Sequence, residues 1–325
     1  MLKTAVRKAS FAIGGLALAM CSTFGHAQDY PTKPVKVIIA FKAGGAVDIV
    51  ARTVGQALQE SLGQPFVVEY RPGGATNIAM KAMMDAPADG HTLMLTANNA
   101  AINPVLFNPP PFDAKKDFVP VAMIGRVPVV IAANPSFDAA TPADLVKRAK
   151  EKPGEISFGS PGNASTPHLA MELFASSAGI KLRHVPYQGG TQAINDMMGG
   201  HLPLVVTNAL EVSPLMGSGK IKVLAALSAQ RLPSMPAVST IAESGYPGFE
   251  ATVWYGFLAP KGTPDAVVDK LHGAVQKALS TKDVQTRMSQ VGGIVTPGPR
   301  SMFASLLSSE QERYGKLINE TGIKP

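Results

Sequence analysis

The chain has 325 residues, 46% of them hydrophobic and 16% charged, with 31 Gly, 27 Pro, a single Cys and a formal net charge of +7. This composition excludes a disordered tail, a disulfide-stapled miniprotein and a coiled coil. At about 150 residues per domain the length suggests two domains, and the positive balance raises nucleic acid or an anionic membrane as partners, to be tested against where the charges sit.

In chain order, Lys3, Arg7 and Lys8 precede an apolar run from Phe11 to Met20, and Gly25-x-Ala27 supplies the small residues that a signal peptidase reads. Residues 1–27 are therefore expected to be a signal peptide, cleaved between Ala27 and Gln28. The run is too short for a membrane span, which takes about 20 apolar residues. Lipidation at Cys21 is disfavoured by Met20, since a small residue normally stands there. Cleavage removes three cations and the only Cys, leaving 27 cations against 23 acids, a net +4. Disulfides, thiol catalysis and cysteine metal sites are then excluded together.

Val35 to Phe41 reads as a buried strand, broken by Lys42-Ala43-Gly44-Gly45, and Ala46 to Leu62 has helical periodicity in Ile49, Val50, Val54 and Leu58. The pattern recurs with strands at Phe66–Glu69 and Thr92–Leu95, a strand at Ile156–Phe158 leading into a helix that reaches Ala178, and a strand at His184–Val185. A helix near Thr191 to Met198 and strands at Leu204–Val206 and Ile221–Leu227 follow. Strands alternating with long helices predict an α/β fold with doubly wound parallel sheets. Two extended stretches interrupt the alternation, Val121–Ala133 and Phe249–Phe257, and are expected to cross between two lobes. Helices over Pro264–Leu279 and Ser301–Ile318 then return to the first lobe. The expected organisation is lobe 1 from 28–128 and 252–325, and lobe 2 from 129–251.

Strings that announce catalysis are missing: there is no His-Glu-x-x-His, no Gly-x-Ser-x-Gly and no Ser-x-x-Lys. Gly217-Ser218-Gly219-Lys220 imitates part of a P-loop, but Pro214 and Ile221 stand where the motif needs Gly and Ser or Thr. His91, His168, His184, His201 and His272 have no metal-ligand spacing, so no metal or cofactor is expected. The cations are dispersed and aromatic content is 6%, which argues against nucleic acid.

What stands out is a pair of strand-to-helix loops rich in Gly and polar residues: Phe41-Lys42-Ala43-Gly44-Gly45-Ala46, and Gly159-Ser160-Pro161-Gly162-Asn163-Ala164-Ser165. A helix N-terminus leaves about four N–H groups unpaired and carries roughly half a positive charge. Two such ends, one in each lobe, favour capture of a small anion in the cleft between them.

Here the chain resembles the Bug family of periplasmic solute-binding proteins, the receptors of tripartite tricarboxylate transport systems. The matching segments are Phe41 to Arg52, Val68-Glu69-Tyr70-Arg71-Pro72-Gly73-Gly74, Asp89-Gly90-His91-Thr92-Leu93, Gly159 to Asn163, His184-Val185-Pro186-Tyr187, and Trp254 to Pro264. The resemblance implies a type II-like binding-protein fold, two lobes joined by two crossing strands. It also implies a carboxylate ligand gripped largely by backbone N–H groups, between Phe41, Lys42, Gly44, Gly45 and Asp48 on one side and Gly162, Asn163, Ser165 and Thr166 on the other. Asn98, Asn99 and Tyr187 would line the cleft. Hydrogen bonds to a charged group contribute about 1.5–3 kcal/mol each, so four to six reach the roughly 8 kcal/mol of micromolar binding.

Two positions depart from the family pattern. Thr207 stands where an Asp is common, which points to a ligand without an α-amino group: a di- or tricarboxylate, or an aromatic carboxylate. Lys42 stands where small residues or Pro are usual, either as a solvated lysine or reaching a second carboxylate. Asp48 suits the first turn of its helix and an i,i+4 pair with Arg52, so a structural role competes with ligand contact. The expected function is delivery of the carboxylate to a membrane transporter by a monomer, with a hinge near Arg126–Val130 and Phe249–Trp254. The alternatives are a ligand sensor without transport and a secreted enzyme acting on a carboxylate, for which Asp48, His168 and Tyr187 are the candidate groups.

Overall fold

The structure is a computed structural model that describes residues 30–290 and 292–324; the expected signal peptide and its cleavage site lie outside them. Among the described residues there are ten strands: β1 Val35–Ile39, β2 Phe66–Tyr70, β3 Thr92–Thr96, β4 Phe118–Ala133, β5 Ser157–Ser160, β6 Arg183–Pro186, β7 Leu204–Asn208, β8 Lys222–Ala226, β9 Thr252–Pro260 and β10 Ile294–Val295. The α-helices are α1 Ala46–Leu62, α2 Asn77–Met84, α3 Asn99–Leu106, α4 Pro142–Glu151, α5 Thr166–Ala178, α6 Gly190–Met198, α7 Ala209–Val212, α8 Asp265–Ser280, α9 Lys282–Gln290 and α10 Arg300–Thr321.

The strands run in the order β2-β1-β3-β9-β4-β7-β5-β6, with β8 and β10 also pairing with β4. Pairs β1–β2, β1–β3, β5–β6 and β5–β7 are parallel, as alternation of strands and helices requires. The long strand β4 belongs to both lobes. Up to Pro128 it pairs antiparallel with β9, and from Val129 it pairs with β7, joined from Val130 by β8. A proline has no N–H for the ladder, so Pro128 suits the place where one partner ends and the next begins.

The second extended stretch lies three residues further along the chain than its sequence suggests. Strand β9 starts only at Thr252, and the preceding link is held by Ala251, whose N–H donates to Leu227 O at 2.6 Å while its carbonyl accepts from Val129 N–H at 3.4 Å. Gly248, at φ 78°, turns the chain just before it.

Helices cover both faces of each sheet. Val47, Val50, Ala51, Val54 and Leu58 of α1 are spaced to one helical face and pack with Val268, Leu271 and Val275 of α8 in one core. Met80 and Met83 of α2 and Phe303 and Leu307 of α10 fill the other face of the first sheet. In the second lobe, Ile194 and Met197 of α6 lie opposite the layer that holds Met171 and Phe174 of α5. Helix α4, absent from the sequence reading, is closed by a capping box between Thr141 and Asp144 with Pro142 at its first position.

The C-terminal helix is anchored through an aromatic contact. Phe303 is fully buried, meets Trp254 edge-on at 5.5 Å between ring centroids, and occupies the space that a side chain on Gly256 would need. Phe303→Ala is expected to lower unfolding free energy by about 3–5 kcal/mol, read from the midpoint of urea denaturation; a loss below about 1 kcal/mol would contradict this anchoring.

Candidate ligand cleft

The first loop follows β1 and opens α1. Gly44 sits at φ 82°, a left-handed conformation that glycine adopts without strain, and its N–H donates to Asp48 Oδ2 at 2.9 Å. The other oxygen of Asp48 accepts from Arg52 Nε and from the Tyr70 hydroxyl, each at 2.9 Å. Asp48 is thus buried as a clamp that folds the loop. It does not face the cleft.

The second loop follows β5 and opens α5. Ser165 caps the helix by accepting from His168 N–H, and its hydroxyl donates to Gly162 O at 2.7 Å. Ala164 sits at φ 56°, held there by its N–H donating to His168 Nδ1 at 3.1 Å. Beneath the loop, His168 stacks on His184 at 3.7 Å, and His184 Nε2 is 2.7 Å from the Ser160 hydroxyl. Burial, with His168 as the second cause, pushes the His184 imidazole down to about 3, so the stacked pair carries no charge on that ring near neutrality.

The two loops touch each other's lobes. Lys42 N–H donates to Gln188 O at 3.1 Å, the Thr191 hydroxyl donates to Gly44 O at 2.8 Å, and Asn99 Nδ2 donates to Ala164 O at 3.1 Å. A fourth bond runs from Ala46 N–H, in the first turn of α1, to Oε1 of Glu211 at 2.9 Å. The lobes are closed on each other through these bonds.

Between them lies an inner cavity of about 20 Å³, bounded by Phe41, Gly45, Asn99, Thr166, Asn208 and Glu211 among others. An outer cavity of about 150 Å³ is lined by Thr76, Asn163, Tyr187 and Gln188, and shares Phe41, Asn99 and Ser165 with the inner one. A larger groove of about 400 Å³ between α5 and α10 is mainly apolar, with Leu169, Leu173 and Leu317 on its walls. Size does not pick the site; the convergence of helix N-termini and buried polar atoms does.

The cleft contains an acid that the sequence reading missed. Thr207 is buried, but its hydroxyl donates to Oε2 of Glu211, and the backbone and side-chain N–H groups of Asn208 also face that carboxylate. Burial holds the Glu211 pKa above the ordinary carboxylate value, and these donors offset only part of the rise. A Cβ on Gly190, at the start of α6, would collide with the Glu211 carboxylate and the Thr207 hydroxyl, so only glycine fits there. The inference of a ligand without an α-amino group rested on Thr207 alone and loses its basis, because four residues on, a carboxylate reaches the same place. The signal available in the sequence was the single charged residue in the largely apolar stretch from Leu204 to Val212, which also holds Thr207 and Asn208.

Of the residues expected in the site, Phe41, Gly45, Asn99, Gly162, Asn163, Ser165, Thr166 and Tyr187 come together on the two cavities. Gly44 and Lys42 contribute interlobe backbone bonds instead, and the Lys42 side chain is exposed, as the solvated reading has it. Asn98 is fully buried away from both cavities; its side chain accepts from Trp254 N–H and donates to the Tyr314 hydroxyl, each at 3.0 Å, tying the β3–α3 turn to β9 and α10. The Tyr187 hydroxyl donates to Asp196 at 2.6 Å, and burial leads the causes that push it up to about 12. Two buried oxygens on the inner cavity, Thr166 Oγ1 and Asn208 Oδ1, have no hydrogen-bond partner.

Comparison with known proteins follows this geometry. A family model described as "Tripartite tricarboxylate transporter family receptor" matches residues 50–323. A UPF0065 protein in the tcbD-tcbE intergenic region of Pseudomonas sp. strain P51 is 35% identical over 95% of this chain and 93% of its own. Protein BugT of Bordetella pertussis is 34% identical over 92% of each. Three solved structures superpose over nearly their whole length. R. palustris Rpa4515 with adipate has a TM-score of 0.88 at 32% identity, covering 91% of this chain and 99% of that one. The periplasmic binding protein BugD has 0.87 at 30%, with the same coverage. MatC from Rhodopseudomonas palustris with bound malate has 0.85 at 28%, covering 89% and 100%. Fold and cleft are those of a two-lobed solute-binding protein, a class of receptors and not of enzymes. The chain belongs to the tripartite tricarboxylate transporter receptor family, that of the Bug proteins.

The buried imidazole gives the second loop a pH signature. The folded pKa of His184 lies below its ordinary 6.5, so the unfolded chain takes up a proton first as pH falls. The His184 contribution to stability is complete above pH 6.5 and declines as pH drops from 6.5 towards 3. His184→Gln is expected to flatten the dependence of urea-unfolding free energy on pH across that window; parallel curves for the two proteins would refute it.

Proposed function

We propose that this chain is a periplasmic receptor that captures a small carboxylate, foremost a dicarboxylate, between its two lobes and delivers it to the membrane components of a tripartite transporter. The observation that carries this reading is the α5 N-terminus, opening with an unpartnered Thr166 hydroxyl on a cleft whose inner wall has no lysine, arginine or histidine among the described residues. Positive potential there comes from helix ends, which suits a carboxylate held by amides and hydroxyls. The neighbours solved with adipate and with malate support the same ligand class.

The unpartnered Thr166 hydroxyl and the first amides of α5 are the donors for one carboxylate, and the outer cavity, with Thr76, Asn163 and Gln188, accommodates the remainder of the ligand. Entry requires the lobes to part, with motion about β4 near Pro128 and the link at Ala251. Lobe 1 is assigned to 28–128 and 252–325, and lobe 2 to 129–251. The closed pair of lobes is the form that the membrane partner reads. No helix among the described residues is long and apolar enough to cross a membrane, and the receptor acts as a monomer exported by its N-terminal segment.

Calorimetry with adipate, malate and succinate tests the proposal. At least one is expected to bind at micromolar strength. Thr166→Val is expected to weaken it about tenfold, consistent with loss of a hydrogen bond to a charged group, and Lys42→Met to change it less than twofold. Binding unaffected by Thr166→Val, or strongly reduced by Lys42→Met, would move the carboxylate away from the α5 N-terminus.

A further inference from the structure

We infer that His168 is a positioning residue for lobe closure: Nδ1 of its neutral ring holds Ala164 in the left-handed conformation from which the Ala164 carbonyl meets Asn99 across the cleft, so a proton on that nitrogen opposes closure. The inference rests on the carboxylate reading above only for the ligands used in its test.

A left-handed residue with a side chain is uncommon, because its Cβ crowds the following carbonyl. Ala164, at φ 56°, therefore needs to be held. Its N–H donates to His168 Nδ1 at 3.1 Å, one turn along the chain, and its carbonyl accepts from Asn99 Nδ2, at the start of α3 in the other lobe, also at 3.1 Å. Its methyl group joins Leu169 in an apolar cluster with Ile102, Leu106, Tyr314 and Ile318. The polar and the apolar parts of this interlobe contact thus meet at one residue, and an imidazole fixes the backbone of that residue. Without the acceptor, Ala164 is free to return to negative φ, which turns its carbonyl away from Asn99 and leaves a buried amide without that partner.

Nδ1 accepts only while it carries no proton. The ring's single proton belongs on Nε2, which faces Glu172 Oε1 at 3.7 Å on the same helix. The other faces of the ring meet His184 of β6, stacked at 3.7 Å between centroids, and the uncharged Phe158 of β5 at 6.3 Å. His184 is itself neutral, since burial holds it down to about 3. Glu172 favours a second proton on His168, whereas the Ala164 N–H and the positive end of α5 oppose it. A doubly protonated ring would present a donor to the Ala164 donor and release it. Proton uptake and closure compete at this ring, and by linkage a ligand that closes the lobes expels the proton.

Asparagine separates position from protonation, because its Oδ1 stands where the imidazole has Nδ1 and takes up no proton near neutrality. The test is calorimetry of the full protein and two variants with adipate, malate and succinate, at about pH 7.5 and about pH 5, either side of the range in which imidazoles titrate. His168→Leu is expected to weaken the tightest of the three by about tenfold or more at the higher pH. His168→Asn is expected to bind within threefold of the wild type there, and at least threefold more tightly than the wild type at the lower pH. Comparing proteins at one pH cancels protonation of the ligand, and thermal melting verifies that both variants are folded. Unchanged binding in His168→Leu, a folded His168→Asn as weak as His168→Leu, or an Asn-to-wild-type ratio that does not move with pH overturns the inference and leaves the carboxylate reading intact. If none of the three ligands binds, that reading fails, and NMR-detected amide exchange of the ligand-free protein decides the inference. The Ala164 N–H is then expected to be protected in the wild type and in His168→Asn and to exchange at least tenfold faster in His168→Leu; equal protection in all three overturns it.

Discussion

Of the bonds that cross the closed cleft, the one that shapes its inner wall runs from the first amide of α1 in one lobe to the Glu211 carboxylate in the other. A carboxylate without a cation beside it is costly to bury. Glu211 is tolerated because Ala46 N–H, the Thr207 hydroxyl and Asn208 all donate to it, and because it sits where the half-charge of a helix end favours an anion. Glycine at 190 is a consequence, since any Cβ there would displace the acid. The protein thus carries within its cleft the kind of group that the cleft is built to bind, and this divides the space between ligand and receptor. One helix end is served by Glu211, and on the proposed reading the other, at Thr166, is left for the solute.

The architecture makes such a crossing bond reversible. Strand β4 runs through both lobes without a break, exchanging β9 for β7 and β8 at Pro128 and Val129, so the lobes share a spine. The closing contacts combine a few hydrogen bonds, of about 0.5–1.5 kcal/mol each, with a small apolar cluster in which Ala164 and Leu169 meet Ile102, Leu106, Tyr314 and Ile318. Bonds of that size break and reform readily, whereas the cores behind them, anchored by contacts such as Phe303 on Trp254, hold each lobe rigid. Small changes at the cleft therefore move whole lobes.

Much of this was legible in the sequence because it follows from periodicity and turn chemistry. The run of α1 from Ala46 to Leu62 has its apolar residues at helical spacing, and the Gly-rich loops announce the two helix ends. Position along the chain does not reveal which way a side chain points. Asp48, Asn98 and Lys42 lie beside the right loops, yet the first two are turned into structural hydrogen bonds and the third into solvent. Glu211 was missed for the converse reason: it lies on a four-residue helix with no periodic pattern, and only the fold brings it 165 residues back to Ala46. Helix α4 shows that a capping box is readable when sought, since Thr141-Pro142-Ala143-Asp144 contains every element of it.

The most direct measurement is a crystal structure of the protein with bound malate. The account predicts closed lobes, a carboxylate oxygen within about 3 Å of the Thr166 hydroxyl or the first amides of α5, and Glu211 still bonded to Ala46. A ligand lodged in the apolar groove between α5 and α10, or a carboxylate seated on the α1 N-terminus with Glu211 turned away, would contradict it.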